Sequence, residues 1–242
     1  MMRDNASRSI VLSFTALLLA SCSTTSHQPE ITSTDTTDTI DAAAGTDRPQ
    51  IVAEQTPATP DVTSGSGNGI AHLSLCPLTT VANAPATSNG LRIRDYQPVI
   101  EINGVHLVAA PVEKGCLSSS FGQRRGSLHK GIDLHNASAV KVYAAAGAQV
   151  REATYRPDYG NMIVLDHGNG VFTRYAHLES FADEIRPGGF VSAGMPIGIM
   201  GNTANYPIPR HLHYEVLTGE WGAQAGSFAL RPENVFARMT AN

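Results

Sequence analysis

The chain has 242 residues, 42% of them hydrophobic, and a formal net charge of −4. The 17 basic residues form no stripe, so the composition excludes the electrostatic footprint of a nucleic-acid-binding protein. Acidic residues are concentrated between positions 23 and 69, and strand-like, glycine-punctuated sequence begins only later. We therefore expect a chain of several unlike parts, with one globular domain large enough to bury a sizeable core.

The first 22 residues have the pattern of an export signal. Two arginines precede an apolar run at 10–20, which is too short to span a bilayer as a stable anchor. Small residues then lead to Cys22, and this ending resembles a bacterial lipobox, which implies cleavage before Cys22 and acylation of that cysteine. With Ser23 following, the resemblance implies a lipid-anchored protein of the cell envelope, on the periplasmic face of the outer membrane. The alternative is an ordinary signal peptide whose cysteine is incidental.

Residues 23–69 are predicted to be a disordered acidic tether. They contain Ser, Thr, Pro, Ala and Gly in abundance, seven acidic residues against one arginine, and no Phe, Tyr or Trp. Such a segment cannot bury enough apolar surface to offset the entropy of ordering the chain. As a flexible coil it would reach about 40 Å, and we interpret it as a passive spacer between the membrane and the globular part.

Cys76 and Cys116 remain once Cys22 is assigned to lipidation. An even number of cysteines in an exported, oxidising compartment favours a disulfide between them. Two buried free thiols are the alternative.

Residues 70–110 are predicted to be a small β-hairpin extension that packs on the following domain. A short strand is expected at 91–96. Further on, Asn103 and Gly104 separate two β-prone runs of four residues each. An Asn-Gly pair in this position is the strongest short-range signal for a hairpin.

Residues 111–242 are predicted to form an all-β domain, a compact antiparallel sheet or sandwich. The strand-like runs are 140–144, 149–153, 162–165, 171–175, 190–191, 196–200 and 211–217, with glycine-containing turns between them. Closely spaced short strands of this kind are typical of antiparallel β domains. Only 231–239, with Pro232 near its start, is predicted to be helical.

Three short motifs hold the side chains that indicate metal chemistry. They are His-Lys-Gly-Ile-Asp at 129–133, Tyr-Ala-His-Leu at 175–178 and His-Leu-His at 211–213. Residues two apart on a strand point to the same face, so His211 and His213 can address one site. Together the motifs offer two imidazoles and a carboxylate for one divalent ion, with two imidazoles left for proton transfer. That inventory is typical of a catalytic zinc site with an open position for water.

The motifs, taken in order and with their gaps, resemble the LytM/lysostaphin-like zinc endopeptidase family. The resemblance includes Ser-Ser-Phe-Gly-Gln-Arg at 119–124, Leu-Asp-His-Gly-Asn-Gly at 165–170 and His-Leu-His-Tyr-Glu-Val at 211–216. It extends over roughly 111–236. Two departures are the segment 204–210, which lacks the usual glycine-rich approach to the final motif, and an inserted loop at 221–228.

The resemblance implies a compact antiparallel β domain with an open groove over a Zn²⁺ ion. It places the zinc ligands at His129, Asp133 and His213, and the two catalytic histidines at His177 and His211. The implied reaction is hydrolysis of peptide cross-links between the peptide stems of peptidoglycan, and a D,D-type bond is the expectation for a protein of this location.

Two other functions compete with that interpretation. The first is a non-catalytic or autoinhibited module that binds peptidoglycan and activates a cell-wall amidase, with the groove occluded by residues 70–110 or 204–210. The second is a purely structural zinc domain, although structural sites usually have four protein ligands and are rich in cysteine. Because all five family positions are filled, the sequence favours an enzyme.

Overall fold

A computed structural model describes residues 69–239 of the chain. The predicted signal peptide at 1–22, the lipidation site Cys22 and the predicted tether as far as residue 68 lie outside the described residues. Within the described part, no helix has the length and apolar character needed to cross a membrane.

The described residues are almost entirely β-structure, which confirms the all-β prediction. Their fourteen strands are β1 (Val99–Ile102), β2 (Val105–Val108), β3 (Cys116–Ser119), β4 (Gly122–Arg124), β5 (Ser127–His129), β6 (Ile132–His135), β7 (Lys141–Tyr143), β8 (Ala148–Arg156), β9 (Gly160–Asp166), β10 (Val171–Phe181), β11 (Phe190–Val191), β12 (Pro196–Met200), β13 (His211–Thr218) and β14 (Arg231–Glu233). Single 3₁₀ turns at Asn89–Leu91 and Ser227–Ala229 and one short helix, α1 (Val235–Met239), complete this part of the chain.

Ten of these strands form one antiparallel sheet. Its main path has the order β11-β8-β9-β10-β13-β6-β3, while β12 pairs with β10 and β7, and β14 pairs with β13. Two separate hairpins, β1-β2 and β4-β5, lie outside this sheet. Because β13 lies between β10 and β6, the strand of the final histidine motif is flanked by the strands that carry His177 and Asp133.

The extension at 70–110 packs on the sheet, as predicted. Its buried Leu73 and Leu107 belong to the same hydrophobic cluster as Tyr214 of β13. The Tyr214 hydroxyl also donates a hydrogen bond to the Val108 carbonyl oxygen, at 3.2 Å. The extension therefore contributes to the core directly behind the strand of the final motif.

A disulfide joins the extension to the sheet. The Cα atoms of Cys76 and Cys116 lie 4.9 Å apart, and the two residues are separated by 40 positions in the chain. Next to the bond, the Cys76 N–H donates to the Leu117 carbonyl oxygen at 2.9 Å. Closing a loop of this length restricts the unfolded chain and stabilises the fold by about 4 kcal/mol.

The hairpin predicted around Asn103 and Gly104 is confirmed. Both residues have left-handed backbones, with φ of 50° and 79°, as a two-residue turn that matches the strand twist requires. The flanking strands pair antiparallel, with Ile102 opposite Val105.

The strand predicted at 91–96 is wrong. Leu91 ends a 3₁₀ turn with φ of 64°, and Asp95 has φ of 53°. Left-handed residues interrupt an extended chain, so only Arg92 and Ile93 make isolated bridges.

The helix predicted at 231–239 is also wrong in its first half. Arg231–Glu233 forms β14, an edge strand on β13, where Pro232 is tolerated because its missing N–H is not needed for pairing. The helix begins only at Val235. The Asn234 side-chain oxygen accepts a hydrogen bond from the Phe236 N–H at 3.0 Å and caps the first turn.

Candidate active site

The three motifs meet in one cleft with a volume of about 1070 Å³. All five residues that the family resemblance singled out line it: His129, Asp133, His177, His211 and His213. The two segments that could occlude the groove also reach it, the extension through Cys76 and Thr79 and the 204–210 segment through Tyr206, Ile208 and Pro209.

Three candidate metal-ligand atoms converge on one point in this cleft. His129 Nε2 lies 3.0 Å from Asp133 Oδ1 and 3.1 Å from His213 Nδ1, and the last two atoms are 2.8 Å apart. All three side chains are buried. The convergence follows from strand pairing, since Asp133 of β6 lies directly opposite His213 of β13.

Gly131 is required by the close approach of the first motif to β13. A Cβ atom at this position would lie 2.2 Å from the Tyr214 carbonyl oxygen. Any side chain here would push β13 away from the loop between His129 and Asp133, so the glycine between the two ligands has a packing reason.

The outer hydrogen bonds of the two ligand histidines leave the correct atoms free for a metal ion. His129 Nδ1 donates to the Ser120 carbonyl oxygen at 2.7 Å, and His213 Nε2 donates to the Glu215 carboxylate at 2.9 Å. The other ring nitrogens, with Asp133 Oδ1, then face the common centre. Two imidazoles and a carboxylate in this arrangement fit a zinc ion, whose histidine ligands are normally held by such second partners.

The electrostatics of this group keep its carboxylate ionised. Burial alone would raise the pKa of Asp133, but in the metal-free site its side-chain hydrogen bonds with His129 and His213 lower that pKa well below its usual value. Burial lowers the pKa of His213, yet its hydrogen bonds to Asp133 and Glu215 outweigh that effect and raise the pKa to about 9. Arg124 Nη1 adds a contact to Asp133 Oδ2 at 3.4 Å. Protons and a metal ion therefore compete for the same atoms.

His177 reaches the cleft from an irregular point in β10. The register of β10 against β9 shifts between Tyr175 and Leu178, and His177 has φ of 61°. A left-handed backbone at a residue other than glycine costs about 1–3 kcal/mol and is concentrated at functional sites. The bulge re-aims a side chain that regular alternation would place differently.

His177 and His211 lie side by side with open ring nitrogens. Their ring centroids are 4.7 Å apart. Each Nδ1 lies 2.8 Å from a backbone carbonyl oxygen, that of Thr203 or Pro209. Because a carbonyl only accepts, each Nδ1 carries the proton and each Nε2 retains its lone pair.

The pKa values of these two rings favour the neutral form. Burial, and next the charge of His211, lower the pKa of His177 to about 4. Burial also lowers the pKa of His211. Both imidazoles are therefore neutral at pH 7 and able to accept a proton.

The sequence motifs assigned no role to Tyr159, Arg174 or Glu215, which the structure places behind His213. Glu215 lies two residues after His213, and residues two apart on a strand point to the same face. The sequence could therefore have placed Glu215 beside His211 and His213. Arg174 had no such signal, because it meets Glu215 only through the register of β10 against β13.

An all-β domain with a His-Asp-His ligand set beside two open imidazoles defines a candidate metal-dependent hydrolase. Residues 127–224, about 40% of the chain, match the sequence profile of Peptidase family M23, so this part of the chain is similar to M23 peptidases. The family predicted from the motifs is thereby confirmed.

Relatives with named activities match part of the chain. One is the peptidoglycan DD-endopeptidase ShyA of Vibrio cholerae, 36% identical in an alignment 115 residues long that covers 44% of this chain and 26% of ShyA. Another is the DD-carboxypeptidase/endopeptidase Mpg of Neisseria meningitidis serogroup B, 37% identical in an alignment 105 residues long that covers 41% of this chain and 24% of Mpg. The chain thus spans about a quarter of the length of these relatives. Among solved structures, a zinc containing peptidase from Vibrio cholerae aligns with a TM-score of 0.46 and 27% identity, over 56% of this chain and 40% of that one.

Proposed function

We propose that this chain is a zinc-dependent endopeptidase that hydrolyses peptide cross-links of peptidoglycan, at a D,D-type bond. The observation that carries the proposal is the convergence of His129, Asp133 and His213 beside His177 and His211. Three protein ligands are typical of catalytic zinc sites, whereas structural sites use four. The named activities of the two relatives support the substrate class and the type of bond.

A bound zinc ion supplies Lewis-acid chemistry that activates water and polarises a carbonyl near neutral pH. The residues of this chain supply the proton transfers. The open Nε2 of one cleft imidazole takes the proton of the attacking water and later returns it to the leaving amine. The second imidazole, whose ring centroid lies 4.7 Å from the first, can stabilise the tetrahedral oxyanion only as an imidazolium, because its Nε2 has no proton to donate in the neutral form.

The charges of the cleft support a peptide substrate that carries carboxylates. Arg125 and Lys130 line the cleft beside the metal ligands, and within residues 69–239 neither side chain has an ionic or hydrogen-bond partner. Peptidoglycan stems are anionic peptides, so these two cations match their charge. The apolar lining from Tyr206, Ile208 and Pro209 suits the methyl groups of alanine residues.

The proposed location is the periplasmic face of the outer membrane, through lipid chains on Cys22. The lipobox-like sequence before Cys22 and the acidic segment after it support this location. Mass spectrometry of the mature protein is expected to find an N-terminal diacylglyceryl-modified Cys22. An unmodified cysteine there would contradict the anchor while leaving the proposed activity untouched.

Digestion of purified peptidoglycan tests the proposed activity. The purified full-length protein is incubated with sacculi in the presence of zinc or a chelator, and the fragments are resolved by mass spectrometry. Zinc-dependent loss of cross-linked dimers is expected, absent in His211→Ala and retained in His106→Ala, an exposed histidine outside the cleft. The masses of the new ends identify the hydrolysed bond.

The same experiment distinguishes the alternative function. Unchanged dimers with zinc bound would contradict the endopeptidase. Stimulation of a cell-wall amidase by the same preparation would then support the activator module.

A further inference from the structure

Glu215 and Arg174 form an ion pair that is completely removed from solvent. Their side chains are 0% and 1% exposed, and Arg174 Nη1 lies 2.5 Å from Glu215 Oε2. Removing two charges from water carries a large desolvation penalty, and apolar residues of similar volume often give equal stability. The pair therefore needs an explanation other than stability.

The other carboxylate oxygen of Glu215 provides that explanation. Glu215 Oε1 accepts hydrogen bonds from His213 Nε2 at 2.9 Å and from the Tyr159 hydroxyl at 3.0 Å. Because a carboxylate only accepts, the His213 proton on this side stays on Nε2. The ring is thereby turned so that Nδ1 faces His129 and Asp133.

Arg174 holds Glu215 from behind and is itself held by the inserted loop at 221–228. Arg174 Nη2 donates to the Ser227 carbonyl oxygen at 2.9 Å. The guanidinium also lies over the Phe228 ring, 4.3 Å from its centroid. A chain of direct contacts thus runs from this loop through Arg174 and Glu215 to His213.

We propose that Glu215 is a positioning residue for the metal, which fixes the tautomer and orientation of His213, and that Arg174 and the 221–228 loop hold Glu215 in place. A partner of this kind makes a ligand imidazole more basic and reduces the freedom that it loses on binding. The inference rests on the proposed function only in its assignment of the metal site.

Zinc affinity of the full-length protein, measured by competition with a chelator, tests the inference without any substrate. Glu215→Leu is expected to weaken zinc binding about 10- to 100-fold, as loss of such partners does elsewhere. Glu215→Gln keeps an oxygen that accepts from His213 Nε2 and should retain most of the affinity. Glu233→Leu is the matched control, because Glu233 is also a buried, ion-paired carboxylate beside β13. Within residues 69–239, its carboxylate has hydrogen bonds or ion pairs only with Thr218, Arg231 and Arg238.

Glu215→Leu leaves the Arg174 charge buried without its partner, so this variant could lose zinc simply because it unfolds. A second variant separates unfolding from the loss of a positioning residue. The double variant Arg174→Met with Glu215→Leu removes both charges and should fold, yet it should bind zinc as weakly as Glu215→Leu. Long-range ¹⁵N–¹H NMR spectra of the ring give an independent readout. The metal-loaded parent and Glu215→Gln should show a protected proton on His213 Nε2, which the double variant lacks.

Two outcomes would overturn the inference in distinguishable ways. If the parent binds zinc and the double variant binds it equally well, Glu215 does not position His213, and the proposed function stands. If the parent binds no zinc, the metal site of the proposed function is wrong, and the inference is wrong with it.

Discussion

The cleft has a ligand half, formed by His129, Asp133 and His213, and an imidazole half, formed by His177 and His211. In the ligand half, both nitrogens of each ring face polar atoms, and the inner ones contact a carboxylate. In the imidazole half, each ring has one nitrogen bonded to a backbone carbonyl and one open. In the proposed function, the partner of the second ring nitrogen decides whether a histidine of this cleft binds the metal or transfers a proton.

His167 shows a third environment for comparison. Its Nδ1 lies 3.1 Å from the Gly147 carbonyl oxygen and its Nε2 2.8 Å from Thr173 Oγ1, away from the cleft. Both nitrogens are satisfied by uncharged protein groups, and the ring is buried. Such a histidine serves the structure, because neither nitrogen is available to a metal ion or a substrate.

The largest effect should come from the ligand half. His129→Ala or His213→Ala removes one of three ligands, so zinc affinity should fall by more than about 100-fold, beyond the loss of a second partner alone, and hydrolysis should stop. Chelator competition measures the affinity. His135→Ala, a cleft residue whose Nδ1 bonds to the Arg210 carbonyl oxygen, should keep the parent affinity. If the parent and the two variants bind zinc equally well, His129 and His213 are not zinc ligands.

The imidazole half should show the opposite pattern. His177→Ala or His211→Ala should lower kcat by about 10²- to 10⁴-fold, the usual contribution of a positioned acid or base, while zinc affinity stays near that of the parent. Parallel measurements of zinc binding and dimer hydrolysis check this. A large loss of zinc in His211→Ala would place that residue among the ligands instead.

Acid should destabilise the fold through His167. Burial lowers its pKa to about 4 in the folded protein, whereas the unfolded chain has the ordinary value near 6.5. The unfolded state therefore binds the proton first, and stability falls as the pH drops from about 6.5 to 4, by about 3 kcal/mol from this group. Urea unfolding at pH 7 and pH 4 should show a smaller loss in His167→Gln. If the stabilities of the parent and His167→Gln differ by the same amount at both pH values, His167 is not the group that causes the loss of stability in acid.

The smallest effect is expected at the exposed cations of the cleft. Arg125→Gln or Lys130→Gln should raise KM for anionic stem peptides about 2- to 5-fold, as expected for exposed charge pairs, with kcat unchanged. Steady-state kinetics with free and amidated stem peptides measure this KM. With the amidated peptides, the variants and the parent should have the same KM. Arg186→Gln, an exposed arginine outside the cleft, is the control. A fall in kcat without a change in KM would argue against substrate recognition by these cations.

Local sequence patterns predicted the structure correctly where the alternation of strand side chains or a specific turn sequence decides the geometry. His211 and His213 share a face because strand side chains alternate, and Leu212 and Tyr214 are fully buried on the other face. The Asn103-Gly104 turn follows from backbone preference alone. The same patterns failed in two segments. At 91–96, β propensity did not reveal the left-handed residues that interrupt a strand. At 231–233, the proline suggested a helix start, but the segment pairs with the free edge of β13.

The sequence by itself predicted the β architecture, the match to family M23 and the five candidate residues, because these depend on residue types and their spacing. The tertiary structure alone decided which atoms face the metal position. Strand register brings Asp133 opposite His213 and Arg174 opposite Glu215. A shift of one residue would reverse every side chain, and contacts between residues 41 to 84 positions apart arise only when the sheet is assembled.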